Sequence, residues 1–242
     1  MVIKDILELL RENTYPGRGI VIGRSDDGSK GIIAYFIMGR SENSRNRVFA
    51  LTDDGIKTQA HDPAKMTDPS LVIYNPVRRV QIGENTIHIV TNGDQTDTIR
   101  DFMLDGKSYT DALSTRTFEP DAPNNTPRIS GMLFPGGSYM LSILKSLDDA
   151  ADNTLRQYFN FDTPRAGTGH FVHTYVSDGD PLPPFEGEPT WVQLPNGDIN
   201  AQADAIWDAM NTEHKVSLYV SQVDIESGSE DYSIIKNKNS GD

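Results

Sequence analysis

The chain has 242 residues, with 22 Lys and Arg against 35 Asp and Glu, a formal net charge of −13 and no cysteine. This charge disfavours nonspecific binding to nucleic acid, and the lack of cysteine excludes disulfides, thiolate metal ligands and a cysteine nucleophile. No apolar run approaches the roughly 20 residues that span a bilayer. We therefore expect a cytoplasmic protein with no membrane or nucleic-acid partner, built as a single domain over residues 1–242.

Short helices and many strands alternate along the chain. Apolar residues at helical spacing predict an amphipathic helix over residues 3–13, within an N-terminal extension of residues 1–14. Strands are then predicted at residues 19–23, 32–38, 47–52, 56–59, 71–74, 77–82 and 86–91, followed by helices at 98–103 and 109–114. The second half is predicted to contain strands at 128–134, 139–146, 155–161 and 170–176, a Pro-rich surface loop at 180–195, a helix at 199–211, strands at 216–223 and 232–235, and a flexible tail at 237–242. This order indicates an α+β protein in which a few helices cover two mainly antiparallel sheets.

Arginines cluster near the start of this acidic chain, at Arg18, Arg24, Arg40, Arg45 and Arg47. The planar guanidinium group binds phosphate or carboxylate through two parallel hydrogen bonds. One interpretation is a shared pocket for an anionic ligand. The other is a set of surface ion pairs with the abundant acids.

A polar run starting at Asn92-Gly93 lies between a predicted strand and a predicted helix. Such a turn presents backbone N–H groups to an anion at the start of a helix. The alternative is simple capping of the helix, in which Thr96 or Asp97 serves as the N-cap residue. The two interpretations are compatible.

Two acids, Glu119 and Asp121, lie in a loop just before Arg128. A loop acid held near an arginine is a candidate proton-transfer group, and the alternative is a turn acid paired with Arg128. The histidines indicate no metal site, because His170 and His173 are three apart in a predicted strand and so point to opposite faces.

Six short motifs occur in the order typical of the archaeal-type IMP cyclohydrolase family, which the chain resembles over residues 15–175. They are Tyr15-Pro16-Gly17-Arg18-Gly19 with Ile22-Gly23-Arg24, Ala34-Tyr35 with Arg40-Ser41 and Asn46-Arg47, Tyr74-Asn75 with Arg78, Thr91-Asn92-Gly93 with Thr96-Asp97, Glu119 and Asp121 with Thr126-Pro127-Arg128-Ile129, and Thr174-Tyr175. The chain departs from the family pattern at Phe36, where an arginine is expected, and at Gln95, where a histidine is common.

The resemblance implies a four-layer αββα sandwich of the N-terminal-nucleophile-hydrolase type. It also implies conversion of 5-formamidoimidazole-4-carboxamide ribotide to IMP and water in purine biosynthesis. That reaction requires no metal ion and no cofactor. The implied partners are the purine nucleotide substrate and product, and we expect a homo-oligomer.

The resemblance also implies roles for individual residues. Glu119 is the expected proton shuttle, and Tyr74 and Arg40 are the other expected catalytic residues. The expected substrate-binding residues are Arg18, Arg24, Tyr35, Arg47, Asn75, Asn92, Gly93, Asp97 and Arg128.

Three other functions remain open at this point. Phe36 suggests a nucleotide-binding protein that keeps the pocket with altered or lost catalysis. The others are an amidohydrolase whose Ser or Thr is unmasked by self-cleavage, and an interaction protein without a small ligand.

Overall fold

The computed structural model describes residues 2–147 and 153–239, and in this part of the chain the strands form two seven-stranded sheets. The first sheet has the spatial order β1 (Lys4–Asp5), β12 (Thr190–Gln193), β11 (Thr168–His173), β2 (Arg18–Arg24), β3 (Lys30–Met38), β13 (Lys215–Asp224) and β14 (Glu230–Asn237). The second has the order β10 (Thr154–Phe161), β9 (Tyr139–Ser146), β8 (Arg128–Leu133), β7 (Asn85–Thr91), β6 (Val77–Ile82), β5 (Gly55–Ala60) and β4 (Arg47–Thr52). Neighbouring strands run antiparallel except β1 and β12, which are parallel. The prediction of an α+β protein with two mainly antiparallel sheets is confirmed.

The α-helices are α1 (Ile6–Glu12), α2 (Glu42–Arg45), α3 (Gln95–Leu104), α4 (Tyr109–Ser114) and α5 (Ile199–Ala209), with a 3₁₀ turn at Pro63–Lys65. A side chain caps the start of each except α3, which follows Asp94, so the prediction of Thr96 or Asp97 as the N-cap residue is wrong. The Asp5 carboxylate accepts the N–H of Leu7 at 2.8 Å, and Ser108 and Asp111 form a capping box at α4. Among the described residues, no helix is long and apolar enough to cross a bilayer.

Apolar side chains fill the space between the sheets and beneath the helices. One cluster lies between the two sheets, one joins α1 and α5 to the first sheet, and one joins α3 and α4 to the second sheet. Strand β3 is buried on both faces, which explains its continuous apolar run. Ile33 and Tyr35 belong to the cluster between the sheets, and Ile32 and Phe36 to the cluster under α1 and α5.

The strand predicted at residues 71–74 is wrong, because this segment forms turns. The Ile73 N–H donates to the Pro69 carbonyl at 2.9 Å. The Thr58 hydroxyl donates to the Val72 carbonyl at 2.8 Å and accepts the N–H of Tyr74 at 2.8 Å. A threonine side chain thus satisfies backbone groups that a neighbouring strand would otherwise pair, and it anchors Tyr74.

Other elements shift by a few residues at their ends, and larger differences occur in two segments. The segment predicted as a surface loop at 180–195 contains β12, which the Pro-rich composition of its first half concealed. The tail predicted at 237–242 begins inside β14, and residues 240–242 lie outside the described residues. The Asn237 side chain accepts the N–H of Phe49 at 2.8 Å and donates to its carbonyl at 3.0 Å. These bonds tie the end of the first sheet to β4 of the second.

Candidate active site

A cavity of about 240 Å³ lies where β2 begins and β3 ends. Its lining comprises Tyr15, Arg18, Met38, Arg40, Ser41, Ser44, Arg47, Asp121, Asn124, Tyr175 and Leu182. Three arginines and one acid in this lining make a positively charged cavity in a chain with a net charge of −13. Such a cavity favours an anionic ligand.

Arg18 and Glu119 form a buried ion pair beside this cavity. The distance from Arg18 Nη2 to Glu119 Oε2 is 3.3 Å, and Glu119 is only 1% exposed. The Glu119 N–H donates to the Thr126 carbonyl at 2.9 Å, which fixes the loop that carries the acid. Burial raises the pKa of Glu119, and the charges of Arg18 and Arg128 only partly oppose this shift. Glu119 is therefore closer to a proton-transfer pKa than an exposed glutamate.

Tyr35 and Tyr74 meet through their hydroxyl groups, which are 2.8 Å apart in the interior. Tyr35 comes from β3 of the first sheet, and Tyr74 from the Thr58-anchored turn next to the second sheet. Burial raises the pKa of Tyr35 well above its ordinary value, with a further contribution from Tyr74. The Tyr35 hydroxyl therefore stays protonated at neutral pH, and either hydroxyl can be the donor in this bond. Arg18 is close enough for its charge to act on both rings.

Arg47 is a buried guanidinium without an acidic partner among the described residues. Its Nε donates to the Ser44 carbonyl at 2.7 Å and its Nη2 to the Met38 carbonyl at 3.4 Å. Its Nη1 has no hydrogen-bond partner. Burial lowers the pKa of Arg47, and the nearby charge of Arg18 lowers it further. A buried cation with an unused donor gains most from an anion in the cavity.

Arg40 lies at the mouth of the cavity and is partly exposed. Its Nη1 donates to Asp178 Oδ1 at 2.7 Å and to the Gly179 carbonyl at 2.8 Å. Its guanidinium lies over the ring of Tyr15, 5.2 Å from the centroid. Tyr15 is nearly parallel to Tyr175, with ring centroids 6.0 Å apart. The mouth thus combines the Arg40 guanidinium with two aromatic rings, those of Tyr15 and Tyr175.

Residues without an assigned role in the sequence analysis complete the cavity. The Asp121 carboxylate accepts the N–H of Thr126 at 2.7 Å and also its hydroxyl. The Thr126 hydroxyl lies 2.5 Å from that of Tyr175. Burial raises the pKa of Tyr175 to about 12. Thr126 and Tyr175 each occur in one of the six motifs, which is the sequence signal that could have identified them as site residues. No local pattern in the sequence indicates that they are in contact.

Arg128, Asn92 and Gly93 do not line the cavity and contact one another's surroundings at the start of β8. Arg128 Nη1 donates to Asp94 at 2.8 Å and to Gln95 at 2.6 Å. Asn92 is fully buried and its amide bonds the backbone of the strand that Arg128 begins, at the Pro127 carbonyl and the Ile129 N–H. A Cβ on Gly93 would come within 2.4 Å of Arg128 Nη1, so a side chain there would displace the end of Arg128. The charge of Arg128 still reaches Glu119.

Three predicted substrate-binding residues lie elsewhere. Arg24 ends β2, about 20 Å along the strand from Arg18, and its Nη2 donates to the Gly28 carbonyl at 2.5 Å. Asn75 donates to Asp97 Oδ2 at 3.3 Å, and Asp97 also bonds Arg78. None of the three lines the cavity. The motifs that carry the family resemblance grouped them with the site, and a motif does not show which end of a strand, or which side of a sheet, a residue occupies.

Phe36 does not lie beside the cavity, contrary to the expectation drawn from the missing family arginine. It is fully buried under α1 and α5, on the face of β3 opposite to Tyr35. Its ring covers the backbone of Gly19, where an added side chain would come within 2.3 Å of it. Phe171 packs against it with ring centroids 6.1 Å apart. Phe36 therefore gives no reason to infer an altered pocket.

The histidines of β11 occupy separate environments. His170 stacks on Phe161 at 3.7 Å, and its Nδ1 lies 2.6 Å from the Tyr139 hydroxyl. His173 stacks on Phe171 at 4.7 Å. In the part of the chain that the structure describes, no group of three or more His, Asp or Glu side chains is placed to hold a metal ion.

A family model described as IMP cyclohydrolase-like protein matches residues 15–228, which include every residue lining the cavity. The chain belongs to this family. Within the IMP cyclohydrolase-like family, it is similar to a protein named IMP cyclohydrolase from Methanococcus maripaludis strain C7, with 34% identity over 131 residues, 52% of this chain and 61% of that relative. A second protein of that name, from Methanopyrus kandleri, is 28% identical over 164 residues, 66% of this chain and 75% of the relative. The match to the first relative thus spans less than two thirds of its length.

Among solved structures, the IMP cyclohydrolase-like chain is similar to a Gly-1 mutant of Anbu from Hyphomicrobium sp. strain MC1. The match covers 92% of this chain and 89% of that one at 12% identity, with a TM-score of 0.43. A second Anbu structure from the same organism gives a TM-score of 0.39. Scores of this size carry no argument about the fold.

Proposed function

We propose that the protein is an IMP cyclohydrolase, which closes the purine ring of 5-formamidoimidazole-4-carboxamide ribotide to give IMP and water. The observation that carries the proposal is the buried Arg18–Glu119 pair beside a cavity lined by Arg40 and Arg47. Membership of the IMP cyclohydrolase-like family and the names of two relatives support it.

The reaction makes one bond and breaks another. The carboxamide nitrogen attacks the formyl carbon, and the former formyl oxygen leaves as water. That oxygen collects two protons, one from the carboxamide nitrogen and one from the formamido nitrogen. The carboxamide is a weak nucleophile, so the enzyme must hold the two arms together, stabilise charge on the oxygen and move protons.

The residues in and beside the cavity match these demands. Glu119, with its raised pKa, carries a proton from a nitrogen to the departing oxygen. Arg18 Nη2 already bonds Glu119, and its free Nε is the donor for the developing oxyanion. The Tyr35–Tyr74 hydroxyl pair orients the base and relays protons. The unused Nη1 of Arg47 and the mouth residue Arg40 receive the phosphate.

Other features of the proposal concern the whole molecule. The packing of helices outside two facing sheets supports a four-layer αββα sandwich of the N-terminal-nucleophile-hydrolase type. We place the residues 1–242 in a single domain of a cytoplasmic enzyme of purine biosynthesis. A homo-oligomer is part of the same proposal.

The decisive test is formation of IMP from the formylated ribotide by purified protein with EDTA present, followed by ultraviolet absorbance. Glu119→Gln removes the titrating group with little change in shape, so turnover should fall about 100- to 10,000-fold. IMP affinity should stay within a few-fold of the wild-type value. The matched control is Glu84→Gln, the same change at an exposed turn, which should retain full turnover. Wild-type turnover by Glu119→Gln would remove Glu119 from the mechanism, and an inactive wild type would overturn the proposed function.

A further inference from the structure

The cavity is small for a ribotide. Its volume of about 240 Å³ lies below the roughly 300–1,000 Å³ typical of small-molecule sites. Arg18 and the buried Arg47 belong to its lining, and Arg18 bonds the buried Glu119. Arg40 lies at the mouth, and the segment that follows β11 contributes Tyr175 and Leu182 to the lining. A ribotide whose phosphate reaches Arg40 therefore meets this segment.

A single ion pair joins Arg40 to that segment. Asp178 Oδ1 accepts the Nη1 of Arg40 at 2.7 Å and the N–H of Gly179 at 3.0 Å. The two side chains are 36% and 44% exposed, and ion pairs at such positions are weak. Asp121, the acid in the cavity lining, is already bound to Thr126. Asp178 is therefore the carboxylate that pairs with the arginine of the mouth, which also donates to the Gly179 carbonyl at 2.8 Å.

We propose that Asp178 is a gate that a substrate phosphate displaces. The carboxylate occupies, on Arg40, the place that the phosphate takes when the ligand enters. Exchange of a carboxylate for a phosphate dianion releases segment 177–182, enlarges the mouth and keeps Arg40 paired. Asp178 then acts as a positioning residue that competes with the ligand phosphate for Arg40, and a ligand without a phosphate leaves the Arg40–Asp178 pair intact. This inference rests on the proposed function in taking the ligand to be a ribotide.

The test compares IMP with inosine on the wild type and on Asp178→Asn, by titration calorimetry at low salt. Removing the competing carboxylate should tighten IMP binding about 1.5- to 5-fold, the range that exposed ion pairs give. Inosine, which has no phosphate, should bind both proteins equally. In turnover, KM should fall by the same factor while kcat does not rise. The difference should shrink as KCl is added, because the competition is electrostatic.

Two further variants separate the gate from a general charge effect. Asp180→Asn removes the same charge from the same segment, and among the described residues Asp180 makes no ion pair. The change in IMP affinity should therefore be less than half of that in Asp178→Asn. Arg40→Met should weaken IMP binding and cancel the effect of Asp178→Asn. Equal IMP affinity in wild type and Asp178→Asn, or an equal gain for inosine, would overturn the gate.

The two proposals fail in different ways. If the wild type binds IMP but does not form it, the reaction is wrong and the gate is still judged by the affinities. If no protein binds IMP, the proposed function falls and inorganic phosphate becomes the probe. Tighter phosphate binding by Asp178→Asn would then support the gate, and unchanged or absent phosphate binding would overturn it.

Discussion

Phe36→Arg tests the assignment of the two faces of β3. The sequence comparison suggests that this change restores a family arginine, whereas the structure places position 36 under α1 and α5. Loss of a buried phenylalanine costs about 3–5 kcal/mol, and an unpaired buried guanidinium adds several more kcal/mol. The sum, at least about 5 kcal/mol, is comparable with the total stability of many domains, about 5–15 kcal/mol.

Thermal unfolding followed by circular dichroism gives the readout. A loss of 5 kcal/mol corresponds to a fall of at least about 10 °C in Tm for a chain of this size. Phe36→Leu is the control, because it keeps an apolar side chain and should cost less than about 1.5 kcal/mol. IMP affinity should not improve in Phe36→Arg. A Tm within 2 °C of the wild type (on the order of 0.5–1 kcal/mol) together with tighter IMP binding would show that position 36 faces the ligand.

The remaining predictions concern buried polar groups. Tyr35→Phe and Tyr74→Phe each leave one buried hydroxyl without its partner. Each should lower the free energy of unfolding, measured in urea, by about 1–3 kcal/mol. The double variant should lose less than the sum of the two, and strict additivity would mean that the two hydroxyls do not interact. Burial lowers the pKa of His173 to about 4. Between pH 7 and pH 5 the imidazole of His173 therefore takes up a proton in the unfolded state but not in the folded state. The contribution of His173 to the free energy of unfolding should fall by about 2 kcal/mol over this range. His173→Gln should remove that part of the pH dependence, the exposed control His61→Gln should not, and superimposable profiles for wild type and His173→Gln would contradict the assigned burial.

Local patterns in the sequence predicted most of the fold. The β2–β3 and β4–β5 hairpins follow from apolar runs separated by turn residues, and the capped helix α4 was predicted with its observed bounds. The strand predicted at residues 71–74 does not form, because the Thr58 side chain, distant in sequence, bonds the backbone groups that a neighbouring strand would pair. The local alternation of apolar and polar residues gives no sign of these bonds.

The site was harder to predict because its contacts are nonlocal. The sequence placed Glu119 near an arginine but offered Arg128, nine residues on, as the alternative partner. The structure pairs Glu119 with Arg18, which is 101 residues away. Arg24 lies away from the cavity, and Phe36 on the opposite face of β3 from Tyr35, for a related reason: strand ends and strand faces are assigned only when the sheets are docked. Whether the cavity residues perform the proposed roles stays a prediction.

The candidate site draws on both sheets, with Arg18 and Tyr35 from the first and Arg47 from the second, joined by Tyr74 and Glu119 from loops beside the second. Neither sheet alone brings these residues together. Under the proposed function, turnover would therefore be a direct measure of the docking of one sheet on the other. A partly folded chain with both sheets formed but separated would then have native far-ultraviolet circular dichroism and no turnover.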